Sequence, residues 1–384
     1  MYIAMLGWEF PPFFSGGLGT HCFFLTHTLS KLNIKIDFYL PSNKNLLKPK
    51  KINNNLTLIP ITLLNKFSPY PQKHSQSSPF SSNVINYNNS LFTMLSKNIK
   101  KYDLIHAHDW LTAPSAIKLK KHFKIPYVQT IHATEFDRTS SPWDFIVQIE
   151  KNAVEQADLI IAVSKMTKNT ISEKYSITKD KIQVVYNGLF YEKKQQHQKT
   201  YFSHLKNKRI VLFFGRITEQ KGPFYFIKAA KKVLKNNKDV HFVMAGTGDS
   251  LPSTISKVIS LNMLDNFTFT GFITQEERDF LYNIADVYVL SSTSEPFGIT
   301  VLEAAAFNTP VVLTKTSGVS EVLKSALITD FWDIEKMAFL INGVLNYKQL
   351  HNFLKKEAKK EVEKLTWDEV ALETIKVYKK ALGE

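Results

Sequence analysis

The chain has 384 residues, 44% hydrophobic and 22% charged, which is long enough for two buried cores and too apolar for extended disorder. Its single cysteine, Cys22, excludes an internal disulfide and any cysteine-built zinc site. The formal charge of +15 comes with four arginines (138, 209, 216 and 278) among 49 basic residues. That scarcity speaks against nucleic acid and leaves either a lysine-rich composition or loose attraction to an anionic membrane or substrate.

The first residues, Met1 to Glu9, lack a basic leader pattern and read as a strand over 2–6. Apolar runs then alternate with helical-period segments, giving strands over 34–40, 103–107, 126–131, 158–163 and 182–186. After a polar stretch at 191–200, read as a linker, the second half repeats the pattern at 209–214, 240–245, 266–270, 286–291 and 310–313. This is the pattern of an α/β protein with two doubly wound parallel sheets, one domain over 1–195 and the other over 205–365. Residues 65–90, rich in Ser, Asn and Pro, read as a long surface loop, a candidate lid or acceptor rim. An amphipathic helix with Thr366 or Asp368 as its cap closes the chain. No run of ~18 apolar residues predicts a membrane span. The expected location is the cytoplasm, with peripheral membrane contact through the basic surface left open.

The chemistry-bearing residues gather at strand ends. After the first strand, Trp8-Glu9-Phe10-Pro11-Pro12 leads to Gly16-Gly17-Leu18-Gly19 and a helix, a turn whose backbone N–H groups can face a phosphate. In the second half, Gly215-Arg216 ends a strand and Lys221-Gly222-Pro223 opens the next helix. The two cations, five residues apart, either share a diphosphate or are surface charges in a loop. Ser294-Glu295-Pro296-Phe297-Gly298-Ile299-Thr300 follows the strand at 286–291. It puts Glu295 in a loop, Gly298 where backbone can approach a ligand, and Glu303 one turn inside the following helix, whose positive end favours an anion. Two carboxylates so placed read as acceptors for sugar hydroxyls rather than as a hydrolytic pair. His132 and the His106-Ala107-His108-Asp109-Trp110 run also end strands. A lone histidine is commonly structural, and no third ligand is spaced to make His106 and His108 a metal site. No Asp-x-Asp occurs, so charge on a diphosphate is expected to be met by the protein and not by a divalent ion.

In this order the motifs resemble the retaining glycosyltransferases of family 4, with a first half similar to glycogen and starch synthases. The resemblance covers nearly the whole chain. It implies a GT-B fold, two facing doubly wound domains with the active site in the cleft between them and the helix 366–384 returning to the first domain. It implies that Arg216 and Lys221 bind the donor diphosphate, Glu303 the nucleotide ribose and Glu295 the sugar hydroxyls, beside Phe297, Gly298, Ile299 and Thr300. Gly16 and Gly17 would close over the distal phosphate, His132 would contact the sugar 6-hydroxyl beside the reacting carbon, and Asp109 and Glu9 would lie on the acceptor side. The implied reaction moves a hexose, glucose by preference, from an ADP- or UDP-sugar with retention, the departing phosphate taking the acceptor's proton. No cofactor or metal is expected. Glycogen and starch synthases of the bacterial type carry lysine two residues before the paired glycines; Phe14 stands there, against polyglucan synthesis. The other readings are a sugar-nucleotide-binding protein without transfer and a GT-B-type epimerase or hydrolase.

Overall fold

The computed structural model describes residues 1–11, 16–41, 48–63, 78–97, 102–189, 202–205 and 208–384. Two compact units emerge: Met1–Gly188 with Trp367–Glu384, and Leu189–Thr366. The polar stretch read as a linker, 191–200, and Phe14 lie outside the described residues, as do 65–77 of the expected loop.

The first unit is built on strands β1 (Tyr2–Leu6), β2 (Lys35–Pro41), β3 (Lys50–Lys51), β4 (Leu56–Ile61), β5 (Leu104–His108), β6 (Tyr127–Ile131), β7 (Leu159–Ala162) and β8 (Ile182–Val184). They lie in the order β3-β4-β2-β1-β5-β6-β7-β8, parallel except for the β3–β4 pair. Side-chain alternation feeds two layers: Ala4 and Leu6 join one buried cluster with Trp8 and Tyr87, whereas Ile3 and Met5 join another with Leu25 and Leu29. The near-continuous apolar strands follow from burial on both faces. Trp367, Val370, Ala371, Val377 and Tyr378 of the last helix, Trp367–Leu382, belong to that second cluster.

The second unit carries β9 (Arg209–Phe214), β10 (Val240–Ala245), β11 (Phe267–Gly271), β12 (Val287–Leu290), β13 (Val311–Thr314) and β14 (Leu327–Thr329), in the order β11-β10-β9-β12-β13-β14, with every pairing parallel. In both sheets the winding reverses at one point, between β1 and β5 and between β9 and β12. The loops leaving those strands open a crevice at their carboxyl ends, where open α/β sheets take ligands.

All eleven expected strands form, and β3, β4 and β14 are additions. The loop expected over 65–90 is corrected in its second part, where Pro79–Leu95 is a helix. Its Ser and Asn residues mask an apolar stripe: Phe80, Val84, Tyr87, Leu91 and Leu95 are all buried at helical spacing. Ser78 caps it by accepting from the Ser81 N–H, with proline in the first turn, where its missing N–H costs nothing. The buried Tyr87 hydroxyl sits 3.0 Å from both Gly7 O and Tyr39 O, anchoring the helix over β1 and β2.

Candidate active site

In the second unit, three loops are laced together. The chain leaves β9 through Gly215 at φ 148, passes Arg216, and makes a short turn, Glu219–Lys221. It enters the helix Pro223–Asn236 through Gly222, at φ 64. A Cβ on Gly222 would lie 2.1 Å from the carbonyl oxygen of Ser291, so glycine is required by that close approach. Ser291 at the end of β12 donates its hydroxyl toward the Gly222 and Lys221 carbonyls (3.0 and 3.2 Å), and the Thr293 N–H donates to Gln220 O at 2.8 Å. The same β12 loop is tied to the one after β13: Glu295 N–H donates to Thr316 O (2.8 Å), Gly318 N–H to Glu295 O (2.9 Å) and Val319 N–H to Phe297 O (2.8 Å).

This lacing brings Lys221 and Glu295 together. The Lys221 ammonium donates to a Glu295 carboxylate oxygen that also accepts from the Ser292 hydroxyl at 3.2 Å. Gly298, at φ 111, starts the helix Ile299–Ala306. Val301 N–H donates back to Gly298 O at 3.0 Å, which leaves the Ile299 and Thr300 N–H groups without an intrahelical acceptor, and the dipole puts positive potential beside Glu295. The Tyr288 hydroxyl lies 2.8 Å from Thr300 Oγ1 and 3.1 Å from Phe214 O, fixing the start of this helix to the end of β9. The Phe297 ring is buried and its carbonyl taken by Val319, so that residue shapes the loop.

Glu303 is held from both sides. Arg278 Nη1 donates to Oε1 and the Tyr282 hydroxyl to Oε2, each at 3.0 Å. Burial pushes the Glu303 carboxyl up, and Arg278 and Tyr282 hold it back. Neither partner is marked by a motif in the sequence; Arg278 stands out there as one of four arginines. Both carboxylate oxygens keep a further lone pair for a diol.

In the first unit the reversal point gathers a different set. Glu9 is buried, and its Oε2 accepts the Gly19 N–H at 3.2 Å, so a carboxylate already faces the first turn of the helix Gly17–Lys31, where the sequence suggested a phosphate. A Cβ on Gly17 meets nothing within 4 Å, so packing does not demand glycine there. Asp109 follows β5 at φ 54, a conformation rare outside glycine, which aims its carboxylate across to the end of β6. Its Oδ1 accepts the His132 N–H at 2.7 Å, and Arg138 lies 3.8 Å from Oδ2. Burial pushes Asp109 up to about 6, against the pull of Arg138. Arg138 also donates to Ala133 O (2.7 Å) and Glu150 (2.9 Å), while the Glu135 N–H donates to Glu150 Oε2 (2.9 Å). This buried network fixes the loop carrying His132.

His132 Nε2 lies 3.0 Å from His108 Nδ1. No third ligand is spaced in sequence to join His106 and His108, but the fold brings a different set together: one ring nitrogen each of His21, from the first helix, His108 and His132 lie within 4.8 Å of one another. The three are 24 and more residues apart in sequence, so spacing could not reveal them. His106 does pack beside His108, with ring centroids 4.3 Å apart, but both its nitrogens are taken, by Thr130 Oγ1 and the Tyr378 hydroxyl at 2.7 Å each. Burial drives His106 and His132 down to about 3, and both stay neutral.

Two doubly wound units with open strand ends are the parts of a GT-B fold, and the comparisons give the activity class. Residues 15–192 match Glycosyltransferase Family 4 and residues 194–361 match Glycosyl transferases group 1. An uncharacterized glycosyltransferase of Methanocaldococcus jannaschii is 31% identical, over 100% of this chain and 99% of its own length. A glycogen synthase of Mycobacterium tuberculosis is 26% identical over 98% of this chain and 94% of its own. The solved structure of Anabaena HepE with UDP and glucose shares the fold, with a TM-score of 0.78 at 18% identity, over 99% of this chain and 100% of that one. The chain belongs to the family 4, group 1 glycosyltransferases. Among the described residues no helix is long and apolar enough to cross a membrane.

Proposed function

We propose that this glycosyltransferase moves a hexose, glucose by preference, from a UDP- or ADP-sugar to an acceptor hydroxyl, with retention at the anomeric carbon and without a divalent ion. The observation that carries the reading is the Lys221–Glu295–Ser292 array at the reversal point of the second sheet, next to the start of the helix Ile299–Ala306, with the exposed Arg216 on the same loop as Lys221. A leaving diphosphate develops negative charge. Lys221, Arg216 and the helix dipole meet it, and a preorganised donor of this kind is worth ~3–4 kcal/mol. Glu295 accepts from sugar hydroxyls once its ammonium partner turns to phosphate, and Glu303, held by Arg278 and Tyr282, accepts from the ribose. His132, neutral and set by the Asp109–Arg138 network, serves the sugar 6-hydroxyl as donor or acceptor. No side chain need take the acceptor's proton, since the departing phosphate oxygen takes it on the same face. Anabaena HepE, solved in complex with UDP and glucose, supports a glucose-bearing nucleoside-diphosphate donor.

The test needs no acceptor. Incubated with UDP-glucose and with ADP-glucose in excess chelator, the protein hydrolyses one of them slowly, and proton NMR of the first product shows α-glucose. A β-anomer first would refute retention, and turnover only after adding magnesium would refute metal independence.

A further inference from the structure

Three imidazoles meet inside the first unit. His21 and His108 are fully enclosed, at 2% and 0% exposure, and Nε2 of each has no hydrogen-bond partner. A buried nitrogen left unpaired keeps the cost of its desolvation, and a phenyl ring would fill the same space without it. Ring packing alone therefore does not account for imidazoles here, although the rings do pack, His21 edge-on to His132 at 4.4 Å between centroids. The tautomer of His21 is set: Nδ1 lies 2.6 Å from Asn187 Oδ1, an acceptor, so Nδ1 carries the proton and Nε2 keeps its lone pair. A histidine ligand is held in this way, its other N–H given to a carbonyl oxygen behind it. His132 is only partly buried and gives the trio its one solvent-facing side.

We propose that His21, His108 and His132 form a binding site for a first-row divalent transition ion, with zinc as its type, and that the ion holds the protein in an inhibited state. The inhibitory half rests on the reading of His132 as the residue beside the reacting sugar. At Zn–N distances of ~2.0–2.1 Å, two ligands of a tetrahedral ion stand ~3.3 Å apart. His108 Nδ1 and His132 Nε2 stand 3.0 Å apart and share one proton in a hydrogen bond, so an ion enters as that proton passes to the unpaired His108 Nε2 or the outer His132 nitrogen; the trio spans at most 4.8 Å, and closure takes nitrogen shifts of up to ~1.5 Å. Three neutral nitrogens suit zinc, nickel or cobalt and offer magnesium nothing, so the site is compatible with transfer that ignores magnesium. A bound ion takes the His132 lone pair and sits where the sugar hydroxyl would meet it.

The experiment uses the whole protein and zinc alone, titrated against a chromophoric chelator, with cobalt as a visible-spectrum probe. Wild type binds one equivalent, and cobalt gives the strong absorption of a low-coordinate site. His21→Gln and Asn187→Ala, both checked for a native melting curve, weaken zinc at least tenfold, the second because it frees the ring that the carbonyl orients. Absence of zinc binding overturns the site, and so does binding that both variants leave unchanged. UDP and ADP binding, measured on the same samples, stands or falls separately and reports on the donor reading. Where donor turnover is present, zinc suppresses it in wild type and spares it in His21→Gln; zinc bound at the trio without loss of turnover overturns the inhibitory half.

Discussion

Gly222→Ala tests the idea that contact between two loops positions the proposed phosphate cations. The added Cβ would stand 2.1 Å from the Ser291 carbonyl oxygen and 3.0 Å from its carbon, both backbone atoms that cannot rotate away. The left-handed backbone, φ 64, adds ~1–2 kcal/mol for any side chain. Relieving the clash parts the end of β12 from the Lys221–Gly222 turn by roughly 1 Å. That stretches the Ser291 hydroxyl contacts and the Thr293–Gln220 bond, at ~1 kcal/mol for each hydrogen bond lost. Together this predicts a loss of ~3–5 kcal/mol in the second unit. Gly271→Ala is the control, because its φ is 68 and its Cβ would meet nothing within 4 Å, so it bears the conformational cost alone. Urea unfolding of the whole protein gives both values, and donor turnover falls ~100-fold in Gly222→Ala because Lys221 is displaced by about 1 Å. Equal stability of the two variants, or full turnover in Gly222→Ala, refutes the steric argument.

Lys221→Ala and Glu295→Ala abolish donor turnover with melting curves close to wild type, and activity retained in either removes the array from the site. Arg278→Ala leaves Glu303 with Tyr282 alone and raises the dissociation constant for a nucleoside diphosphate at least tenfold by calorimetry, whereas unchanged affinity would mean that Glu303 does not hold the nucleotide. Stability also depends on His106. Burial lowers its folded pKa to about 3, so the unfolded chain takes a proton that the folded one refuses. The contribution is complete above ~6.5 and is lost as pH falls toward 3, amounting to about 2 kcal/mol between pH 6.5 and 5. His106→Gln flattens that part of the pH–stability curve, and an unchanged slope contradicts the assignment.

Most of the fold is legible in the sequence because parallel strands covered on both faces write themselves as apolar runs, as in Tyr2–Leu6 or Arg209–Phe214. The helix Pro79–Leu95 is not, since its Ser and Asn residues outweigh the five-residue stripe that packs. β4 is hidden by Pro60, and β3 by being two lysines long. In the candidate site, residues in the loops that leave strand carboxyl ends are readable: Asp109 and His132 stand directly after β5 and β6, and Arg216, Lys221 and Glu295 in the loops after β9 and β12. Their supports are not. Arg278, Tyr282, His21, Asn187 and Glu150 act from helices or distant loops, and only the folded chain brings them near.

The measurement that bears most directly on the account is nucleotide binding by the purified protein in chelator, followed by calorimetry with UDP, ADP and the corresponding monophosphates, in wild type and in Lys221→Ala. The account predicts that one diphosphate binds wild type without metal, that its monophosphate binds much more weakly, and that Lys221→Ala removes most of the difference. Failure of every diphosphate to bind wild type, or equal binding of mono- and diphosphate in both proteins, would contradict it.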